Sequence, residues 1–214
     1  MKKEVVSDGT VLIKKKKYVM RMIEKEGVKY TPYKMKYMGI EIVRSSTPAF
    51  CRKKIDDIVV MIINKDNKAL VREKLKEYRK IFKSQDIATI SSPRGINNLE
   101  EYTDERGYPK PKTPIQLRAS MNYNRLVNQL GLNKKYGYIR NGDKIKFIYV
   151  VESQKFPHNI IAFFDELPKE FKLHSSVDYE TQFEKSFMSP IQKISESIGW
   201  GKLDLNQDDI DCFF

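Results

Sequence analysis

At Pro48 the spacing of apolar residues changes from two to three or four, and this change constrains the fold more than any other feature. Upstream, residues 17–24 and 33–43 read as two antiparallel strands joined through Glu26-Gly27 and a turn region at Pro32. Val19, Arg21 and Ile23 share one face of the first strand, with Tyr18, Met20, Met22 and Glu24 on the other. Thr47 is placed to cap a helix and Pro48 suits its first turn. That helix is predicted to run to about Asn64 on Cys51, Ile55, Ile58 and Ile62. A second, from about Asp66 to Phe82, carries Val71, Leu75, Tyr78 and Phe82 on one stripe. The two should form a helical hairpin.

Residues 84–113 read as a long irregular stretch containing Ser91-Ser92-Pro93-Arg94-Gly95, the kind of loop that often carries function. Thr113-Pro114 repeats the cap-plus-proline start and opens a helix to about Leu130, with Gly131 at its C-terminal side. Lys144–Val151 and Asn159–Phe164 read as strands. Asp178–Ile198 reads as a helix with Phe183, Phe187, Ile191, Ile194 and Ile198 on one face, kinked or divided at Pro190. Gly199 ends it, and Lys202–Phe214 reads as an exposed peptide. The fold class is α+β, mostly helical after residue 48.

Charge narrows the function. The 214 residues hold 40 Lys+Arg against 28 Asp+Glu, a formal charge of +12. Residues 1–36 carry eleven basic and four acidic side chains, whereas residues 203–214 carry four aspartates and no basic group. A basic body suits a polyanion such as nucleic acid, and an acidic, aromatic tail suits a different partner. The longest apolar run inside a predicted helix, Ile58–Ile63, is six residues, where a membrane span needs about 20. A transmembrane protein is therefore ruled out, and no membrane partner is expected. The two cysteines, Cys51 and Cys212, lie far apart and outline neither a disulfide framework nor a zinc site, which fits a reducing cytoplasm. Only two histidines occur, His158 and His174, and neither has a local catalytic motif.

Several basic groups could meet phosphate. Lys14-Lys15-Lys16-Lys17-Tyr18 leads into a strand, where lysines on both faces follow a phosphate backbone while Tyr18 packs on a sugar; a solvated basic arm is the plainer alternative. Arg44-Ser45-Ser46 ahead of a helix offers hydroxyls and backbone N–H groups to one phosphate, or is an ordinary turn. Arg94-Gly95, and Arg118 with Tyr123 and Asn124, carry the same two readings. There is no P-loop, dinucleotide fingerprint or metal-ligand cluster in the sequence. Asp56-Asp57 sits within a helix, where neighbours point about 100° apart, and reads as surface charge. An independent nuclease would need a metal–carboxylate site that is not visible.

The tail gives the sharpest local signal. Gln207-Asp208-Asp209-Ile210-Asp211-Cys212-Phe213-Phe214 fits Q-x-x-aliphatic-x-x-F-F, the peptide by which replication proteins dock on ring-shaped sliding clamps. In one 3₁₀ turn Gln207, Ile210 and Phe213 share a face. Ile210, Phe213 and Phe214 would fill an apolar pocket, with Gln207 as a polar anchor. A strand or helix end packing back on the core is the alternative.

The order of these segments resembles the C-terminal end of the family B DNA polymerases of T-even-type bacteriophages. Lys15-Lys16-Lys17-Tyr18 is similar to the family's lysine-rich KK-K/R-Y motif, which contacts primer–template duplex in the late palm. Lys36-Tyr37-Met38-Gly39-Ile40-Glu41 followed by Arg44-Ser45-Ser46-Thr47-Pro48 resembles its palm-to-thumb junction. Thr113-Pro114-Ile115-Gln116-Leu117-Arg118 with Tyr123-Asn124 is similar to a thumb segment near the DNA backbone. Asp143–Tyr149, then Asp178-Tyr179 and Phe183-Glu184-Lys185, continue in family order. The resemblance starts at about residue 12 and covers nearly all of the chain from there.

The resemblance implies short antiparallel palm strands over residues 1–43, a mostly α-helical thumb with a small β element over 44–201, and a clamp-binding tail over 202–214. It implies primer–template DNA as a partner, held by Lys15, Lys16, Lys17, Tyr18, Lys36, Arg44, Ser45, Ser46, Arg118, Tyr123 and Asn124. The exonuclease, the fingers and the metal-binding palm aspartates of the family would all precede residue 1. With Met1 followed by a short lead-in, Lys2–Ile13, the expectation is the second chain of a split polymerase, inactive alone. Its catalytic partner would carry the Mg2+, with none bound here, in the cytoplasm of an infected bacterial host. A non-catalytic DNA-binding accessory protein tethered to the clamp is the alternative, and differs in having no stable catalytic partner.

Overall fold

Strand pairing begins at Val5 in the computed structural model, which describes residues 5–151 and 159–206. These residues form two units, one running to Ser84 and resuming at Glu184, the other spanning Gln85–Phe183. Both mix helices with antiparallel sheet, so the class is α+β.

The first unit opens with a three-stranded antiparallel sheet of β1 (Val5–Lys14), β2 (Lys17–Lys25) and β3 (Val28–Met38) in chain order. β1 falls in the segment that the sequence presents as a lead-in. Its apolar alternation is broken at Ser7-Asp8-Gly9, where the pairing with β2 shifts register on both sides of Ser7. The turn between β2 and β3 is Glu26-Gly27, with φ of 51° and 85°, as a tight hairpin of this twist requires. Pro32 lies inside β3, within the stretch 30–33 that the ladder skips between Lys29 and Lys34, so its missing N–H costs no ladder bond. The same irregularity breaks the alternation that put Val19, Arg21 and Ile23 on one face: Val19 and Met22 are buried, and Ile23 is 36% exposed. The expected strand over 33–43 ends at Met38, and Glu41–Val43 forms a 3₁₀ turn.

Two helices follow, α1 (Ala49–Ile63) and α2 (Lys68–Lys83). The predicted stripes hold: Cys51, Ile55, Ile58 and Ile62 of α1, and Val71, Leu75, Tyr78 and Phe82 of α2, are all buried. Thr47 does not cap α1, because Pro48 occupies the cap position and no side chain accepts there. Asn67 does cap α2, its Oδ1 accepting from the Leu70 N–H at 2.9 Å. Asp56 and Asp57 each accept from a separate tyrosine: Tyr37 of β3 donates to Asp56, and Tyr78 to Asp57 at 2.7 Å.

The second unit contains α3 (Ile87–Ile90), β4 (Ser92–Gly95), α4 (Ile115–Gln129), β5 (Lys144–Tyr149), β6 (Ile160–Phe163) and α5 (Tyr179–Phe183). β4, β5 and β6 form a second antiparallel sheet. Ser92–Gly95 is thus a sheet edge rather than loop, four residues too short to show a periodicity in sequence. α4 packs on β6, and Asn122 donates to the Ile160 carbonyl at 2.8 Å. Pro114 takes the cap position of α4, while Thr113 donates backward to the Lys110 carbonyl at 2.6 Å. Asp178 caps α5 through the Thr181 N–H and hydroxyl.

The helix expected over 178–198, with a kink or division at Pro190, is divided just ahead of that proline. After α5 the chain makes a π turn, Glu184–Met188, and then α6 (Ser189–Ser197), which belongs to the first unit. Pro190 lacks the N–H that a regular turn would use, and the wider turn comes directly before it. α6 packs against β1 and α1. The chain beyond it is held down further than expected: Leu203 is 3% exposed and its N–H donates to Gln192 at 3.0 Å. Among the described residues no helix is long and apolar enough to cross a membrane.

Candidate nucleic-acid interface

Lys15 and Lys16 form the two-residue tip of the β1–β2 hairpin, closed by the pairing of Lys14 with Lys17. They do not lie along an extended segment, as the sequence suggests. The turn needs the left-handed region at Lys16, with φ of 61°. Both tip lysines are exposed.

The backbone after β3 packs under this tip. Gly39 has φ of 64°, and a Cβ built there would lie 2.4 Å from the Lys16 carbonyl oxygen. Only glycine allows that approach. The Gly39 carbonyl then accepts from Arg44 Nη2 at 3.0 Å. Glu41 lies between two cations, with Oε1 3.8 Å from Lys17 Nζ and 3.9 Å from Arg44 Nη1. Across the ladder the Lys36 ammonium stands 5.8 Å from the centre of the Tyr18 ring. Lys15, Lys16, Lys17, Tyr18, Lys36 and Arg44 are therefore brought to one end of the sheet, with Glu41 as the one carboxylate paired among them. The net local charge is strongly positive, which draws a polyanion. Ser45, exposed, and Ser46, half-buried, continue from Arg44 toward α1.

The second unit has its own cationic group. Arg118 of α4 is half-buried, and its Nε is a buried donor without a hydrogen-bond partner among the described residues. A charged donor left this way costs about 1–3 kcal/mol or more, and an anion reaching the guanidinium would supply the acceptor. Arg94 of β4 donates to the Pro93 carbonyl at 2.8 Å, with its guanidinium 5.7 Å from the Phe147 ring centre. Burial raises the Tyr149 phenol above its ordinary pKa, and the charges of Arg118 and Arg94 partly pull it back. Both guanidinium groups are thus felt at one phenol.

Two expected contact residues are structural instead. Tyr123 is 1% exposed, with its ring edge-on to Phe164 at 5.8 Å and Phe171 at 5.5 Å. The ring thus packs inside rather than facing a sugar, and this burial pushes its phenol up to about 12. Asn124 accepts from the Ile139 N–H at 2.7 Å and donates to the Ile139 carbonyl at 2.9 Å, pinning that loop to α4. Tyrosine and asparagine are common on both surfaces and buried seams, and helical spacing alone does not separate the two. The sequence reading left Gly39 and Glu41 without roles and missed Tyr149. Gly39 and Glu41 stand in the quoted motif, whereas Tyr149 gave no signal beyond its place in a strand.

Among the described residues no group of three or more His, Cys, Asp or Glu could hold a metal ion. Cys51 is buried, its thiol pushed up to about 12 by burial, which makes it inert. Gln207, Ile210, Phe213 and Phe214 lie outside the described residues.

The basic hairpin tip, the glycine beneath it and the bridging Glu41 all fall within residues 2–198, the part of the chain that a family model matches. The chain is 29% identical over 189 residues to the DNA-directed DNA polymerase of Enterobacteria phage T4, covering 86% of this chain and 20% of that protein. It is 29% identical over 183 residues to the DNA-directed DNA polymerase of Escherichia phage RB69, covering 83% of this chain and 20% of that one. The chain thus spans about a fifth of the length of these curated relatives. The sequence profile of DNA polymerase family B matches residues 2–198, nearly the whole chain, and on that match the chain belongs to DNA polymerase family B.

Proposed function

We propose that this chain is the duplex-gripping C-terminal part of a DNA-directed DNA polymerase, and that a separate chain supplies the exonuclease, the fingers and the catalytic palm. The observation that carries this reading is the basic tip of β1–β2, held by Gly39 and Glu41, in a chain of family B. Lys15, Lys16, Lys17, Tyr18, Lys36, Arg44, Ser45 and Ser46 contact the primer–template backbone near the primer end. Arg118 contacts the backbone further along, while Tyr123 and Asn124 position α4 and its neighbouring loop. Backbone contacts carry no base code, so binding is indifferent to sequence. Phosphoryl transfer, and the Mg2+ that serves it, belong to the partner chain. Gln207, Ile210, Phe213 and Phe214 dock on a sliding clamp, raising the effective concentration of the polymerase at the primer end. The assembly works in the cytoplasm of an infected bacterial host.

The test is reconstitution. A tagged copy is recovered from cells expressing its native neighbours, and its partner is identified by mass spectrometry and purified for primer extension. The expected partner is a larger, stoichiometric chain that extends primers efficiently only with this chain present, which alone extends nothing. Adding clamp should lengthen the products, and deleting 207–214 should remove that gain while sparing basal extension. Recovery of clamp without a catalytic chain would overturn the split-polymerase reading. A clamp effect that survives the deletion would overturn the tail assignment.

A further inference from the structure

A pocket of about 380 Å³ opens in the second unit, bounded by α4, the turn that follows it and residues 164–170. Tyr123 of α4 lines this pocket. Its ring is fixed edge-on against Phe164 and Phe171 and is 1% exposed, yet its hydroxyl makes no hydrogen bond to a described residue. Buried phenols ordinarily find a partner. Tyr123 Oη therefore presents an unused donor and two unused lone pairs to the pocket.

The other phenol of the lining is already engaged. Tyr136 donates to Glu170 Oε2 at 2.7 Å, and Lys135 donates to Glu170 Oε1. The hydrogen bonds from Lys135 and Tyr136 hold the Glu170 carboxyl down at about 2, so these three groups form a satisfied set that ties one wall to the other. Asp165 and Glu166 also line the pocket, both exposed, and neither has an ion-pair partner among the described residues. The lining thus sets Asp165, Glu166 and Glu170 against Lys135 and Lys169, an excess of one negative charge in a chain of formal charge +12.

An anion would enter this pocket against two unpaired carboxylates. A cation meets those carboxylates, the lone pairs of Tyr123 Oη, and the aromatic rings of Tyr136 and Phe164. A guanidinium suits the set better than an ammonium. It is flat and weakly hydrated, stacks on a ring, and directs its fan of N–H donors to oxygen acceptors in the same plane. The apolar stem of an arginine also covers ring surface on the way in.

We propose that this pocket takes an arginine side chain presented by a partner protein, its guanidinium donating to Tyr123 Oη and to the carboxylates of Asp165 and Glu166. An arginine seated on a buried acceptor is the kind of anchor on which a protein interface depends. Recognition uses neither the hairpin tip nor the Arg94–Arg118 group and needs no DNA, so it stands or falls apart from the polymerase reading.

The test is a titration of the full chain, carrying isotope-labelled tyrosine, with argininamide and with a blocked Gly-Arg-Gly tripeptide, read by NMR. Both probes should shift the Tyr123 and Tyr136 ring signals saturably, whereas citrullinamide, of the same size without the charge, should not. Tyr123→Phe keeps the ring and its packing and removes only the acceptor. Read at Tyr136, it should weaken binding by about tenfold, the size of one hydrogen bond to a charged group. D165N/E166Q, at exposed positions, should weaken binding and flatten its salt dependence, and it carries the test if Tyr123→Phe fails to fold. No saturable shift, equal binding of citrullinamide, or full affinity in either folded variant would overturn the proposal. Binding of argininamide without the tripeptide would overturn it in favour of a small molecule. Stronger shifts with inorganic phosphate would overturn it in favour of an anion held by Lys135 and Lys169.

Discussion

A methyl group at position 39 would meet the Lys16 carbonyl oxygen at 2.4 Å in a backbone already at φ of 64°. Two penalties coincide there, a steric clash with main chain and a left-handed conformation that L side chains rarely adopt. Gly39→Ala should therefore destabilise the chain by about 1–3 kcal/mol and also weaken duplex binding, because the tip lysines and Arg44 depend on that packing. Gly107→Ala is the control. It has φ of 80° but nothing within 4 Å of the added carbon, and it should cost about 1 kcal/mol without changing duplex affinity. Denaturant unfolding and a binding titration on both variants check this; equal effects on binding would remove Gly39 from the site. At this scale the sequence identified charge better than packing. Lys15, Lys16 and Arg44 could be read as surface groups from their type, whereas Tyr123 and Asn124 required the structure to show which way they face.

Elements were legible where one face had to be buried over several turns. The stripes of α1 and α2 follow from spacing alone, and all eight predicted core positions are buried. Leu75→Ala, at a site with no exposure, should cost about 2–5 kcal/mol. Leu70→Ala, on the same helix but 49% exposed, should change stability by about 0.5 kcal/mol or less. Similar losses from both, measured by chemical denaturation, would contradict the assignment of the buried face of α2. Elements shorter or more irregular than a helical stripe escaped. β1 is interrupted by a bulge at Ser7-Asp8-Gly9, and β4 has only four residues. In β1 backbone irregularity, and in β4 shortness, removed the period that sequence reading depends on, whereas the stripe Phe183, Phe187, Ile191 and Ile194 stayed legible across the π turn and is buried.

Over the whole molecule, charge is unevenly spread along the chain. Most of the excess positive charge has a definable place: the hairpin tip with Lys36 and Arg44, the Arg94–Arg118 pair, and the row Lys76, Arg79, Lys80 and Lys83 on α2. Residues 203–214 carry four aspartates and no basic group. Fold class and family were legible in sequence because the motifs come in a fixed order. The bracing of the tip by Glu41 and Gly39 was not, because it depends on chain crossings that no local pattern records. The central claim is that the basic tip grips the DNA backbone. Its most direct measurement is the affinity of the full chain for a short duplex across a series of salt concentrations, for the wild type and for K15E/K16E/K17E. The wild type should lose affinity linearly on a log–log plot, with a slope of about −0.9 for each phosphate neutralised. The variant should bind more weakly at every salt concentration, with a slope flatter by about one unit for each lysine that held a phosphate. Unchanged affinity and slope in the variant would contradict the account.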